Sequence, residues 1–203
     1  MIDLTQNDGL WTITLNRPDK ANSVTPDMLG EIADIAERAN GVAKALVLTG
    51  AGKVFSAGAD LDAARAGLAT DPVWERLSGA LAALPCLTVA ALNGTLAGGS
   101  FGMALACDLR IAVPGAKFFY PVAKLGFLPQ PSDPGRLVAL IGPARAKMIL
   151  LGGVKIEAEE AMSWGLIDRI VAREDLDAAV AELTEAALAA APSHIAGIKA
   201  LIP

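Results

Sequence analysis

Histidine is nearly missing from this chain: in 203 residues the only imidazole is that of His194. With it go most histidine-based acid–base schemes and most histidine-ligated metal sites. Cysteine is scarce as well. Cys86 and Cys107 lie in apolar surroundings, fit no metal-ligand spacing and make no disulfide framework. The N-terminus lacks a basic segment followed by an apolar leader, so a reducing cytoplasm is the expected setting. Basic charge is in deficit, with 17 Lys and Arg against 22 Asp and Glu for a net charge of −5. No cluster of cations could track a phosphate backbone, which excludes nucleic acid as a partner. A membrane is excluded too, because Gly, Pro or charge interrupts every apolar run before it reaches the ~18 residues of a span.

What the chain does have is a large apolar fraction, 53%, and 20 glycines. It can bury a substantial core, and no linker-like tract divides it, so one α/β domain over residues 1–203 is expected. Ile2 to Gln6 and Trp11 to Asn16 read as strands joined at Asn7-Asp8-Gly9. Thr25 and Pro26 open a helix whose apolar positions, Met28, Ile32, Ile35, Ala36 and Ala39, recur at helical spacing until Asn40-Gly41. Ala45 to Thr49, Leu87 to Leu92 and Leu109 to Val113 are short apolar runs of the kind that a parallel sheet buries on both faces. A helix is expected from Pro72 to Leu84, and a short strand from Lys117 to Tyr120.

Prolines in the stretch Pro121 to Pro134 predict an irregular segment lining a site. Short helices follow over Arg136 to Ile141, Pro143 to Leu151 and Glu157 to Trp164, then a strand over Leu166 to Val171. A helix from Leu176 to Ala190 and a last one capped by Ser193 end the pattern. A loose ββ-then-α rhythm runs through the whole, without a fixed repeat.

The stretch from Leu92 to Asp108, LNGTLAGGSFGMALACD, organises the rest. An apolar strand gives way to a glycine-dense turn and then to a helix of small apolar residues. Free amide N–H groups and the positive end of a helix dipole meet at such a turn, which suits it to receive developing negative charge. A second glycine-bearing bend, GAGKVFSAGADL, follows the strand at Ala45 to Thr49.

LNRPDKANSVT, LVLTGAGKVFSAGADL, VAALNGTLAGGSFGMALACDLRIA, PVAKLGFLP and AMSWGLIDRIV occur in this order and together span nearly the whole chain. Taken together they resemble the successive signatures of the enoyl-CoA hydratase/isomerase, or crotonase, superfamily. The resemblance implies a ββα spiral, with a core over about residues 1–172 and a shortened C-terminal helical region over about 173–203. It implies a homotrimer or hexamer, and a lyase or isomerase of fatty acid metabolism. Such a protein holds an acyl-CoA thioester and stabilises the enolate oxyanion. Coenzyme A would enter as part of the substrate, with no further cofactor and no metal.

Carried over by position, the two oxyanion-hole amides fall on Ala59 and Gly99. A thioester carbonyl needs donors already fixed where charge will appear, and losing one costs roughly 3 to 4 kcal/mol of barrier. The coenzyme would lie along Lys20, Ala21, Asn22, Ala57 and Asp60, with Arg17 and Lys53 as further candidates for its phosphates. The pattern departs from the family at the two glutamates its hydratases use: those positions hold Gly102 and Val122, neither of which can move a proton. A third position at which relatives carry an acid holds Gln130, which can orient a polar group but cannot act as a base. Asp133 is the first replacement candidate, followed by Tyr120 and Asp60, with turn-forming and core roles as the plainer readings.

Two other functions fit parts of the sequence. Gly98-Gly99-Ser100-Phe101-Gly102 matches the nucleophile-elbow pattern, and His194 follows it in chain order, so a serine hydrolase using Ser100 is conceivable. The expected end of the strand near Asn93, five residues early, speaks against it. Loss of both glutamates also fits an acyl-CoA-binding protein without chemistry.

Overall fold

The computed structural model describes residues 1–202. Strands β1 (Ile2–Asn7) and β2 (Leu10–Leu15) form an antiparallel hairpin. Asp8 and Gly9 between them have φ of 47° and 90°, the left-handed pair whose twist matches a two-residue hairpin. Helix α1 (Pro26–Ala39) follows, its Thr25 side chain accepting the Met28 N–H and Pro26 standing where a missing donor costs nothing.

The chain then winds through three similar turns. The first contains β3 (Ala45–Gly50), β4 (Val54–Ser56), α2 (Leu61–Arg65) and α3 (Val73–Ala82). The second contains β5 (Leu87–Leu92), β6 (Thr95–Ala97) and α4 (Phe101–Leu105). The third contains β7 (Leu109–Ala112), β8 (Lys117–Phe119), α5 (Val122–Leu125) and α6 (Asp133–Leu150). Strand β9 (Ile156–Glu157), α7 (Ala158–Trp164), β10 (Arg169–Ile170), α8 (Leu176–Ala189) and α9 (Pro192–Ala200) complete the described chain.

Each turn gives its first strand to a six-stranded sheet, order β1-β2-β3-β5-β7-β10, and its second to a four-stranded sheet, order β4-β6-β8-β9. Pairing between turns is parallel in both sheets, as a right-handed coil of ββα units requires. This is the crotonase-like spiral. Ile13, Leu15, Leu46 and Leu48 from the larger sheet and Phe55 and Phe118 from the smaller are fully buried between the layers. Asn22 and Asn93 stitch the bend that joins β3 to β4. Asn22 Nδ2 donates to the carbonyls of Ala51 and Val54, while Asn93 Nδ2 reaches those of Gly52 and Val54 and its Oδ1 accepts the Gly50 N–H. Among the described residues no helix is long and apolar enough to cross a membrane.

Several local expectations need correction. The second sheet is not legible in the sequence beyond β8, since two- and three-residue strands inside glycine-rich stretches are too short to show a period. The strand expected over 166–171 pairs only at Arg169–Ile170. The proline-rich segment is less irregular than expected, because Pro121 leads into α5 and Pro134 sits in the first turn of α6, where proline fits a helix. Asp133 therefore begins a helix rather than standing on a loop. Helix α6 contains both expected helices, broken at Gly142 (φ 78°, ψ 164°). The last helix starts at Pro192, and Ser193 makes no cap.

Candidate active site

The site is built from two equivalent bends. Strands β4 and β6 run parallel with Ser56 beside Leu96, and both continue through an Ala-Gly pair, Ala57-Gly58 in one and Ala97-Gly98 in the other. Gly58 (φ 93°) and Gly98 (φ 59°) both take the left-handed conformation that a side chain resists. The bends also touch: a Cβ on Gly58 would lie 2.9 Å from the Ala97 carbonyl oxygen and 3.4 Å from Gly98 Cα. Carried forward, the register sets Ala59 against Gly99. Neighbouring parallel chains lie roughly 5 Å apart, a spacing from which two N–H groups can share one oxygen at about 3 Å each.

The main chain around Ala59 is held so that its own amide stays free. Val24 donates to the Gly58 carbonyl and accepts from the Asp60 N–H, a parallel bridge that turns the Ala59 N–H away from Val24. Among the described residues neither the Ala59 nor the Gly99 N–H has a backbone acceptor outside the regular elements. Both residues line one cavity of about 360 Å³. A Cβ on Gly99 would lie 3.0 Å from the Trp74 ring, which forms the adjacent wall and is itself fixed by its indole N–H on the Leu68 carbonyl.

Serines lock the bends from behind. Ser56 Oγ donates to the Asn22 carbonyl at 2.8 Å and accepts the Gly58 N–H at 3.2 Å. Its single proton is thereby used, so the 2.6 Å bond between Ser56 and Ser100 must be donated by Ser100. Strand β6 does end at Ala97, directly before the elbow-like pentapeptide, which removes the objection raised from the expected end at Asn93. Even so, Ser100 is fully buried, its proton is spent on Ser56, and His194 sits exposed on α9. A serine nucleophile here has no base.

The chain that leaves β8, the neighbour of β6, holds the side chains that sequence reasoning weighed as proton carriers. Tyr120, Val122 and Gln130 line the cavity. Asp133 does not line it; the carboxyl lies behind Tyr120, at 1% exposure, with Oδ2 accepting the Tyr120 hydroxyl at 2.9 Å. Oδ1 has no hydrogen-bond partner among the described residues. Burial pushes the Asp133 carboxyl up to about 7, against the lowering effect of the Tyr120 hydrogen bond and the Arg136 charge, with Glu75 adding to the rise. Burial also raises the Tyr120 hydroxyl well above its usual range, helped by the nearby Asp133 charge. The Gln130 N–H reaches Tyr120 Oη at 3.3 Å, while its Nε2 donates to the Ala69 carbonyl. Tyr120 stacks on Phe101 with ring centres 5.4 Å apart.

The residues assigned to the coenzyme lie to one side of the bends. Ala57 lines the cavity, and its N–H donates to the Ala21 carbonyl. Ala21 and Asn22 both have positive φ, in the turn after a 3-10 segment (Pro18–Lys20). The Asn22 side chain is buried and fully occupied by the scaffold, and its backbone N–H and carbonyl are engaged by Arg17 and Ser56. Asp60 caps α2 through the Asp62 and Ala63 N–H groups and pairs with Arg17 at 2.8 Å, and that hydrogen bond holds its carboxyl below the usual range. Lys20 and Lys53 are exposed and make no ion pair among the described residues. Leu61, Arg65, Leu125 and Phe127 form a largely apolar mouth. Sequence reasoning missed this mouth, Trp74 and the Ser56 lock. For Ser56 a signal existed, since FSAGAD and TLAGGS are the same strand-and-bend pattern written twice.

Known proteins share both this architecture and its sequence. The profile of the enoyl-CoA hydratase/isomerase family matches residues 5–202. The chain is 37% identical over 189 residues to the probable enoyl-CoA hydratase echA6 of Mycobacterium tuberculosis (strain CDC 1551 / Oshkosh), covering 92% of this chain and 77% of that one. It is 36% identical over 208 residues to carnitinyl-CoA dehydratase of Salmonella enteritidis PT4, covering 98% and 78%. A crystal structure of an enoyl-CoA hydratase from Mycobacterium avium subsp. paratuberculosis K-10 matches with TM-score 0.90 at 32% identity, over 99% of this chain and 83% of that one. Fold and paired bends thus define a crotonase-like α/β protein. The chain belongs to the enoyl-CoA hydratase/isomerase family.

Proposed function

We propose that the protein binds an acyl-CoA thioester and stabilises the enolate formed at its carbonyl, using the N–H groups of Ala59 and Gly99 as the oxyanion hole. The paired bends carry this reading: the amides of Ala59 and Gly99 follow touching left-handed glycines on adjacent parallel chains, and Gly99 stands in the first turn of a 3-10 segment (Gly98–Ser100), where N–H groups have no internal acceptor. Such donors act without reorganisation at the moment of reaction, and each is worth roughly 3 to 4 kcal/mol of barrier. Asp133 stores the proton and Gln130 supplies a polar contact. The coenzyme moiety lies along Lys20, Ala21, Asn22, Ala57 and Asp60 and belongs to the substrate, with no further cofactor and no metal.

With Gly102 and Val122 in place of two carboxylates, activating a water is disfavoured, and the chemistry of this reading is proton transfer at the α-carbon through Asp133. The same two residues favour, as a second reading, an acyl-CoA-binding protein without turnover. Association into trimers or hexamers belongs to the proposal, with Leu128, 85% exposed beside the mouth, as an apolar surface for it. Calorimetric titration with butyryl-CoA and octanoyl-CoA, together with assays of crotonyl-CoA hydration and double-bond shift, tests both readings. Binding with isomerisation but little hydration is expected. Binding without any turnover selects the second reading, and no binding rejects both.

A further inference from the structure

A side chain at position 102 would share a face of α4 with the Gly99 bend, being three residues on. That room is taken from another element: a Cβ on Gly102 would lie 2.8 Å from Asp133 Oδ1 and 3.4 Å from its carboxyl carbon. The carboxylate that helix α4 lacks is thus supplied by the first residue of α6. The carboxyl does not line the cavity, but Tyr120, itself 2% exposed, is among the residues that do, and its hydroxyl donates to Oδ2. Resting on the acyl-thioester reading above, we infer that Tyr120 and Asp133 form a two-residue proton relay, Tyr120 touching the substrate as the catalytic residue and Asp133 acting through it.

The step balances without any other reactant. With Asp133 ionised, Tyr120 Oη takes the proton from the α-carbon while its own proton passes to Asp133 Oδ2. One C–H and one O–H bond break, two O–H bonds form, and the negative charge moves from Asp133 to the thioester oxygen between Ala59 and Gly99. The reverse returns the proton to the α-carbon or, across a conjugated enolate, to the γ-carbon, which shifts the double bond. The Gln130 N–H at 3.3 Å steadies Tyr120 Oη through the exchange.

The groups around the carboxyl set where it titrates. Tyr120 reaches it from the end of β8, Arg136 from α6 and Glu75 from α3, while α4 presents only Gly102. Arg136 is itself tied to the Ser132 hydroxyl and Ser78 carbonyl, and Glu75 to Ser132. The carboxyl therefore changes state close to neutrality, at about 7, where a proton carrier works best.

The test follows deuterium entering the α-carbon of butyryl-CoA in D2O, with the affinity for the same thioester measured by calorimetry. Tyr120→Phe and Asp133→Asn are isosteric, and both are expected to keep affinity while exchange falls roughly a hundredfold or more. The wild-type rate should rise as pH passes through about 7, and this rise should vanish in Asp133→Asn. Exchange at the wild-type rate in Tyr120→Phe, or an unchanged pH profile in Asp133→Asn, overturns the relay. Binding without exchange in the wild type overturns the relay and leaves acyl-CoA binding intact, whereas absence of binding removes both.

Discussion

The two walls of the cavity are made differently. The wall of bends presents main chain, its glycines in contact with one another and Ser56 behind them with its donor and both acceptor sites filled. The wall beside it, on the chain that leaves β8, presents side chains, backed by a buried carboxyl that keeps one oxygen unpartnered among the described residues and titrates near neutrality. The first wall is rigid and its polarity permanent; the second can change charge. A thioester enolate needs both, because the oxyanion must be met by donors already in place while the proton has to be taken up and released.

The largest effect should come from breaking the rigid wall. Gly58→Val puts a branched side chain at φ 93° and drives its Cβ toward the Ala97 carbonyl, 2.9 Å away. With the bends forced apart, α-proton exchange should fall roughly a hundredfold to a thousandfold, read by deuterium incorporation beside a melting curve. A smaller effect is expected across the seam between the walls. Gly102→Ala presses a methyl against Asp133 Oδ1 and should cost up to about 3 kcal/mol in urea unfolding. In an Asp133→Ala background the same change should cost at least about 1 kcal/mol less, since the obstruction is gone. Equal costs in both backgrounds would mean the seam is not shared.

The smallest effect concerns the changeable wall alone. Asp133 binds its proton more tightly when folded, at about 7 against the ordinary 3.8. Its contribution to stability is therefore full below pH ~4 and is lost as pH rises through ~7. Asp133→Asn lacks this loss, so between pH 5 and pH 8 wild type should weaken relative to the variant by on the order of 2 kcal/mol. Parallel stability curves would show that the carboxyl is already ionised throughout.

How far each wall could be read from sequence follows the same division. The bends are legible because left-handed turns demand glycine, so Gly58 and Gly98 announce a backbone arrangement before any coordinates. The hairpin at Asp8-Gly9, the cap at Thr25 and the buried strands β3, β5 and β7 are legible for similar local reasons. The meeting of Asp133 with Gly102 is not, because 31 positions of chain separate them and only the packing of α6 on α4 brings them together. Gly102 reads in isolation as a lost acid; beside Asp133 it is the space that lets another acid in. The sequence offers Asp133 as a candidate acid, yet its place behind Tyr120 depends on the turn from β8 through the prolines to α6, which carries no periodic signal.

Infrared spectroscopy of the bound thioester tests the central claim most directly. With the carbonyl carbon of butyryl-CoA labelled with carbon-13, difference spectra isolate that C=O stretch in the complex. Two amides converging on its oxygen should polarise the bond and move the band below its frequency in water. A band at or above the aqueous frequency in a saturated complex would mean that Ala59 and Gly99 do not share the oxygen, and the account of the site would fail with them.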